Sequence, residues 1–249
     1  LQLTFNESMD SISLALGTYT ITPPLTVSTI QPVAPGFTEV ILTLSPAIDT
    51  GIVYTITVSN VTDCPGNLIS ANNSAQFLIS PPAGKFDVII NEIFSDPVPA
   101  VGLPEIEFVE LFNRSNKIFD LRGWQFVNST TAKTLPSHFL FPNDYLILCD
   151  ENDTTNYSPF GTVIGIPSFT SLTNGGDSLT LVDNGGSIVD IVVYSDTWYN
   201  DPAKDDGGWT LELINPYHPC SFLNNWTASN DPSGGTPGTQ NSVFDTLPD

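Results

Sequence analysis

Short runs of β-branched and aromatic residues, each closed by Gly, Pro, Asn or Asp, recur along almost the whole chain. Tyr19–Thr22, Val40–Leu44, Ile52–Val58, Phe77–Ile79, Val88–Phe94, Glu107–Phe112, Tyr145–Cys149, Ser178–Val182, Ile188–Tyr194 and Trp209–Leu213 all read as strands. Asn174-Gly175-Gly176 and Asn184-Gly185-Gly186 supply the positive φ values that tight hairpins need. Helix signals are almost absent, and the best stretch, Glu7 to Ser13, predicts a turn at most. Many short strands at this spacing predict an all-β chain of sandwiches or barrels. With 40% hydrophobic residues among 249, there is enough apolar material for a packed core.

The composition breaks at Ser80-Pro81-Pro82-Ala83-Gly84-Lys85, a stretch poor in ladder donors and suited to a linker. It divides the chain into a first domain over 1–82 and a second over 83–243. The tail 244–249 reads as an exit linker to a further module. The first domain is short for an Ig-type sandwich, which needs roughly 100 residues, so an initial strand is expected upstream. Leu1 opens directly into strand-like text, so the chain is read as an excised or mature piece.

Charge narrows the partners. There are 27 acidic and 6 basic residues, a net of −21. Nucleic-acid binding draws on Lys and Arg, and no basic stripe exists, so nucleic acid is excluded as a partner. Anionic membranes are disfavoured for the same reason, and no apolar run is long enough to predict membrane insertion. The acidity has two readings: solubility, and calcium held by loop carboxylates. The calcium candidates are Asp201, Asp205 and Asp206, in a loop that also holds Asp196; a further patch is Asp150-Glu151-Asn152-Asp153. Neither fits the EF-hand pattern, and no other cofactor is expected. Three cysteines cannot all pair internally. Cys149 sits in strand text as a core thiol, and Cys64 with Cys220, both beside prolines, form the candidate disulfide.

Two resemblances sharpen the fold. Leu3-Thr4-Phe5-Asn6-Glu7-Ser8-Met9-Asp10, Val53-Tyr54-Thr55-Ile56-Thr57-Val58 and Val61-Thr62-Asp63-Cys64-Pro65-Gly66-Asn67 resemble bacterial Ig-like modules of S-layer and other surface proteins. A second, ordered set covers nearly all of 86–243. It runs Ile89-Ile90-Asn91-Glu92-Ile93, Asp96-Pro97, Glu107-Phe108-Val109-Glu110-Leu111-Phe112-Asn113, Leu121-Arg122-Gly123-Trp124 and Leu172 to Leu181. It closes with Gly207-Gly208-Trp209-Thr210-Leu211-Glu212, Asn225-Trp226 and Gly234-Gly235-Thr236-Pro237-Gly238. This set resembles the lamin-tail domain, an Ig-like β-sandwich found in nuclear lamins and, in tandem with Ig-like modules, in secreted proteins of Bacteroidetes-type bacteria. The resemblance implies two tandem Ig-like β-sandwich domains in an extracellular or cell-surface, outer-membrane-associated protein.

Catalytic signals are sparse. His138 and His218 are the only histidines, and neither lies near a nucleophile-elbow Gly-x-Ser-x-Gly. Paired carboxylates are the remaining route to hydrolysis. In the cluster Glu105, Glu107 and Glu110, with Glu92 on the strand just before, strand alternation puts Glu110 on the apolar side, where it needs hydrogen bonds or a partner such as Arg114 or Arg122. An open cleft around Glu110 would favour an enzyme; a closed core would not. Trp198 and Tyr199 form a candidate aromatic platform for sugars, with Trp209 nearby; hairpin packing is the plainer use of such rings.

The expected function is a non-catalytic structural or adhesive module that spaces or presents other domains of its parent chain, or contacts protein or glycan ligands. The alternative is a calcium-dependent or carbohydrate-binding accessory module of an extracellular hydrolase.

Overall fold

Tyr54, Ile56 and Val58 alternate with Thr55, Thr57 and Ser59, and the structure buries the first set while leaving the second half-exposed. That structure, a computed structural model, describes residues 1–129, 131–169, 171–219 and 224–246. It is nearly all β, and the chain divides into two compact units, 1–81 and 82–249. Among the described residues no helix is long and apolar enough to cross a membrane.

The first unit holds β1 (Gln2–Thr4), α1 (Ser11–Leu16), β2 (Thr18–Thr22), β3 (Thr26–Pro32), β4 (Glu39–Ser45), β5 (Tyr54–Ser59) and β6 (Ser74–Phe77). Two three-stranded sheets, β1-β4-β3 and β2-β5-β6, enclose Leu14, Ile21, Val40, Leu42, Ile56 and Val61. The short helix starts later than the Glu7–Ser13 expectation because Asp10 caps it, its carboxylate accepting from Ser13 N at 2.7 Å. A turn follows Val61: Gly66 has φ +97°, and Asp63 accepts from Asn67 N.

The second unit holds β7 (Val88–Phe94), β8 (Phe108–Asn113), β9 (Phe119–Asp120), β10 (Gln125–Val127), β11 (Ala132–Thr134) and β12 (Phe139–Leu140). There follow β13 (Tyr145–Asp150), α2 (Thr154–Tyr157), β14 (Val163–Ile166), β15 (Gly176–Val182), β16 (Ile188–Ser195), a 3-10 turn (Asp196–Tyr199), β17 (Leu211–Leu213) and β18 (Trp226–Ala228). A six-stranded sheet, β14-β13-β8-β7-β17-β18, faces a four-stranded one, β11-β10-β15-β16, and their inner faces share one core. Every residue of β7 and β8 is buried, because the six-stranded sheet is covered on both faces. Alternation sends Val109 and Leu111 into the sandwich core, while Phe108 joins a smaller cluster with Phe94, Ile147, Cys149 and Tyr157 on the opposite face.

Of the predicted exit linker, Asp245 N still bonds to Ile214 O at 3.1 Å, and 247–249 lie outside the described residues. Cys64 is exposed and Cys149 buried; the expected Cys64–Cys220 disulfide has its second member outside the described residues. Burial pushes the Cys149 thiol up to about 11, in keeping with a core thiol.

Candidate functional site

The outer face of the six-stranded sheet carries three glutamates side by side. Register pairs Glu92 of β7 with Glu110 of β8 on one side and with Glu212 of β17 on the other. All three are fully buried. A β-bulge between Ile90 and Glu92 gives β7 an extra residue, Asn91, and resets the alternation so that Glu92 joins the row.

What shields this row is the segment 229–243, which supplies donors rather than cations. Glu92 Oε1 accepts from Thr210 Oγ1 at 2.6 Å and from Thr236 N at 2.8 Å. Glu110 accepts from Asn91 Nδ2 at 2.9 Å and from Gly238 N. Glu212 accepts from Thr236 Oγ1 at 2.9 Å, Ser242 Oγ at 2.7 Å and Val243 N at 3.1 Å. Asn241 ties the strands beneath, donating to Asn91 O at 2.9 Å and to Leu213 O at 2.8 Å, and its Oδ1 accepts from Asn91 Nδ2. Glu92 Oε2 has no hydrogen-bond partner.

The expected arginine partner of Glu110 is not there. Arg114 donates to Pro216 O, and Arg122 pairs with Asp120 at 3.7 Å. Hydrogen bonds take that role because strand alternation points Glu110 under 229–243. Burial raises the Glu92 and Glu110 carboxyls above their ordinary value of 4.5, Glu92 well above, and the neighbouring Glu110 and Glu212 charges push Glu92 further. Glu110 is fully buried, with Gly238 N of the covering segment bonded to its carboxylate.

Glycines make the closeness possible. At Gly235 a Cβ would lie within 3 Å of Thr210, Glu92 and Leu103 side-chain atoms. Gly238 has φ +82°, and a Cβ there would overlap the Phe160 carbonyl oxygen.

Residues 81–196 match the Lamin Tail Domain family model. The Lamin Tail Domain match holds Asn91, Glu92 and Glu110, whereas Thr210, Glu212, Thr236, Gly238 and Asn241 follow it in the chain. β17 and β18 also lie beyond residue 196, yet extend the same sheet that β7 and β8 begin. A solved structure of a DUF4876 family protein from Bacteroides thetaiotaomicron is similar at 11% identity and a TM-score of 0.35, over 88% of this chain and 93% of that one. A likeness this loose carries no functional argument. No curated protein matches.

Other predicted residues fall elsewhere. Tyr199 is buried, its hydroxyl donating to Trp209 O at 3.2 Å, so it cannot offer a face to a sugar; the 3-10 turn rotates it into the core. Trp198 is half-buried against Trp226. The Trp198–Tyr199 platform is therefore replaced by inward packing. In the acidic loop, Asp205 and Asp206 are exposed, while Asp201 accepts from Ala203 N and lies 3.9 Å from Lys204. Lys204 also donates to Ser229 O and sits over the Trp209 ring. Among the described residues no three His, Cys, Asp or Glu side chains gather as a metal-holding group.

Sequence reasoning singled out Glu110 and noted Glu92 on the strand before it, but missed Glu212, Asn91 and Asn241. The signal was an acid inside each of two mostly apolar strands, next to Asn91 in Val88–Phe94 and between leucines in Leu211–Leu213.

Proposed function

We propose that this chain is a non-catalytic structural or adhesive part of a larger secreted or cell-surface protein of bacterial type, spacing other domains and making protein or glycan contacts. The supporting observation is that its buried carboxylate row, Glu92, Glu110 and Glu212, lies under 229–243 and is spent on holding that segment down. A hydrolase needs its carboxylates within reach of substrate and water. The sandwich instead uses them as acceptors that fix its own outer face. Screening against glycoside, ester and peptide substrates should show no turnover; turnover lost in Glu110→Gln would overturn the reading.

A calcium-dependent binding module is the second reading, supported by the exposed Asp205 and Asp206 beside Asp201. A ligand that binds only the folded state raises stability by mass action. Melting after EDTA and again with calcium, against magnesium at matched ionic strength, tests it. A rise specific to calcium supports the second reading, and no rise beyond the salt controls rejects it.

A further inference from the structure

A cavity of about 140 Å³ lies between the two sheets of the second unit, at the edge formed by β16 and β18. Among the described residues its walls are largely apolar: Ile89, Val192 and Leu213, with the indoles of Trp198 and Trp226. The two indole rings stand 6.1 Å apart, inclined at 33°. One wall residue is ionisable, Asp190, which is 3% exposed. Its Oδ2 accepts from Ile90 N and its Oδ1 from Ile191 N, each at 2.8 Å. A carboxylate offers about four lone-pair sites, so each oxygen keeps one free. Among the described residues, no Lys, Arg or His makes a salt bridge to it.

We propose that this pocket binds a small organic cation on an apolar body, of arylalkylamine size, with its ammonium toward Asp190 and its body against Trp198 and Trp226. Size, charge and surface chemistry agree. A dry cavity of about 150 Å³ admits a benzene-sized guest. A buried carboxylate with no direct ion pair among the described residues gains from a cation brought within hydrogen-bond reach. Indole rings pack well against an aromatic body. A sugar fits less well, because its hydroxyls would lie unpartnered against Ile89 and Leu213. An anion would meet Asp190 and the acidic excess of the whole chain.

Burial raises Asp190 to about 6, with Lys85 and Arg114 the charged groups that oppose the rise, so the carboxylate is ionised in mildly alkaline buffer. In that buffer the full chain is titrated with phenethylamine, its neutral isostere 2-phenylethanol and the anion 3-phenylpropionate, by calorimetry and tryptophan fluorescence. Phenethylamine should saturate at millimolar concentration or below, with the alcohol about tenfold weaker or more (~1.4 kcal/mol) and the anion not bound. Asp190→Asn should erase the preference for amine over alcohol. Trp198→Leu, at a half-buried position, should weaken the amine with the circular dichroism unchanged. Equal binding of amine and alcohol would reduce the pocket to an apolar hole and overturn the proposal, as would no saturation by the amine. The ligand series on the unaltered chain decides the matter even if Asp190→Asn fails to fold.

Discussion

Gly238 and Glu110 meet through one hydrogen bond, and each constrains what can replace the other. Gly238 has φ +82° and no room for a Cβ beside Phe160. Gly238→Ala should cost about 2–4 kcal/mol, combining left-handed strain with overpacking, read from urea denaturation. On the acid side, Glu110 and Glu92 have native values raised above 4.5. The unfolded chain therefore gives up these protons at lower pH than the folded chain does. Their stabilising contribution is fully present below the unfolded value and fades as pH rises through the native ones. Asp190, raised from 3.8 to about 6, acts with the same sign over a lower window. The melting temperature should thus be higher near pH 5 than near pH 8. Glu110→Gln should flatten that slope, because the group no longer titrates. A slope unchanged in Glu110→Gln would show that Glu110 does not carry the effect.

At the scale of elements, the segment 229–243 is the cover on the acidic row. A chain ending at Ala228 should lose the cooperative unfolding of the second unit, since Glu92, Glu110 and Glu212 would all lose donors. Thermal scans by near-ultraviolet circular dichroism would show this as a missing transition. Strands with clean alternation were legible in the sequence: β5 shows it residue by residue, and the apolar run of β7 gives its bounds. β14 and β18 were not, the first because Gly165 interrupts its pattern and the second because it spans only Trp226–Ala228. The glutamate row was illegible for a different reason. Its members meet only through the pairings of β8 with β7 and β7 with β17, and register between distant strands is not written in local periodicity. The bulge at Asn91 shifts that register by one residue, which no alternation rule anticipates.

On the scale of the whole molecule, the two units differ in what holds them. The first relies on an apolar core around Leu14, Val40 and Ile56, and its buried Asp63 is held below its ordinary value of 3.8 by Asn67. The second adds a buried polar network to a larger core. Residues 1–81 alone should therefore melt at nearly the same temperature at pH 5 and pH 8, while 82–249 keeps the slope of the full chain. Melting curves of the two pieces would check this, and a steep slope in 1–81 would count against the assignment to Glu92 and Glu110.

The cover over the glutamates also sets an order of events during synthesis. Glu92 leaves the ribosome 144 residues before Thr236, and Asn91 leaves 150 residues before Asn241. Until those late residues emerge, the three acids have no lid and ionise freely in water, which favours an open sheet over a closed one. The nascent second unit is thus held short of its native state by its own carboxylates until its last strands and closing segment arrive. Such a unit cannot close until residues 229–243 have emerged.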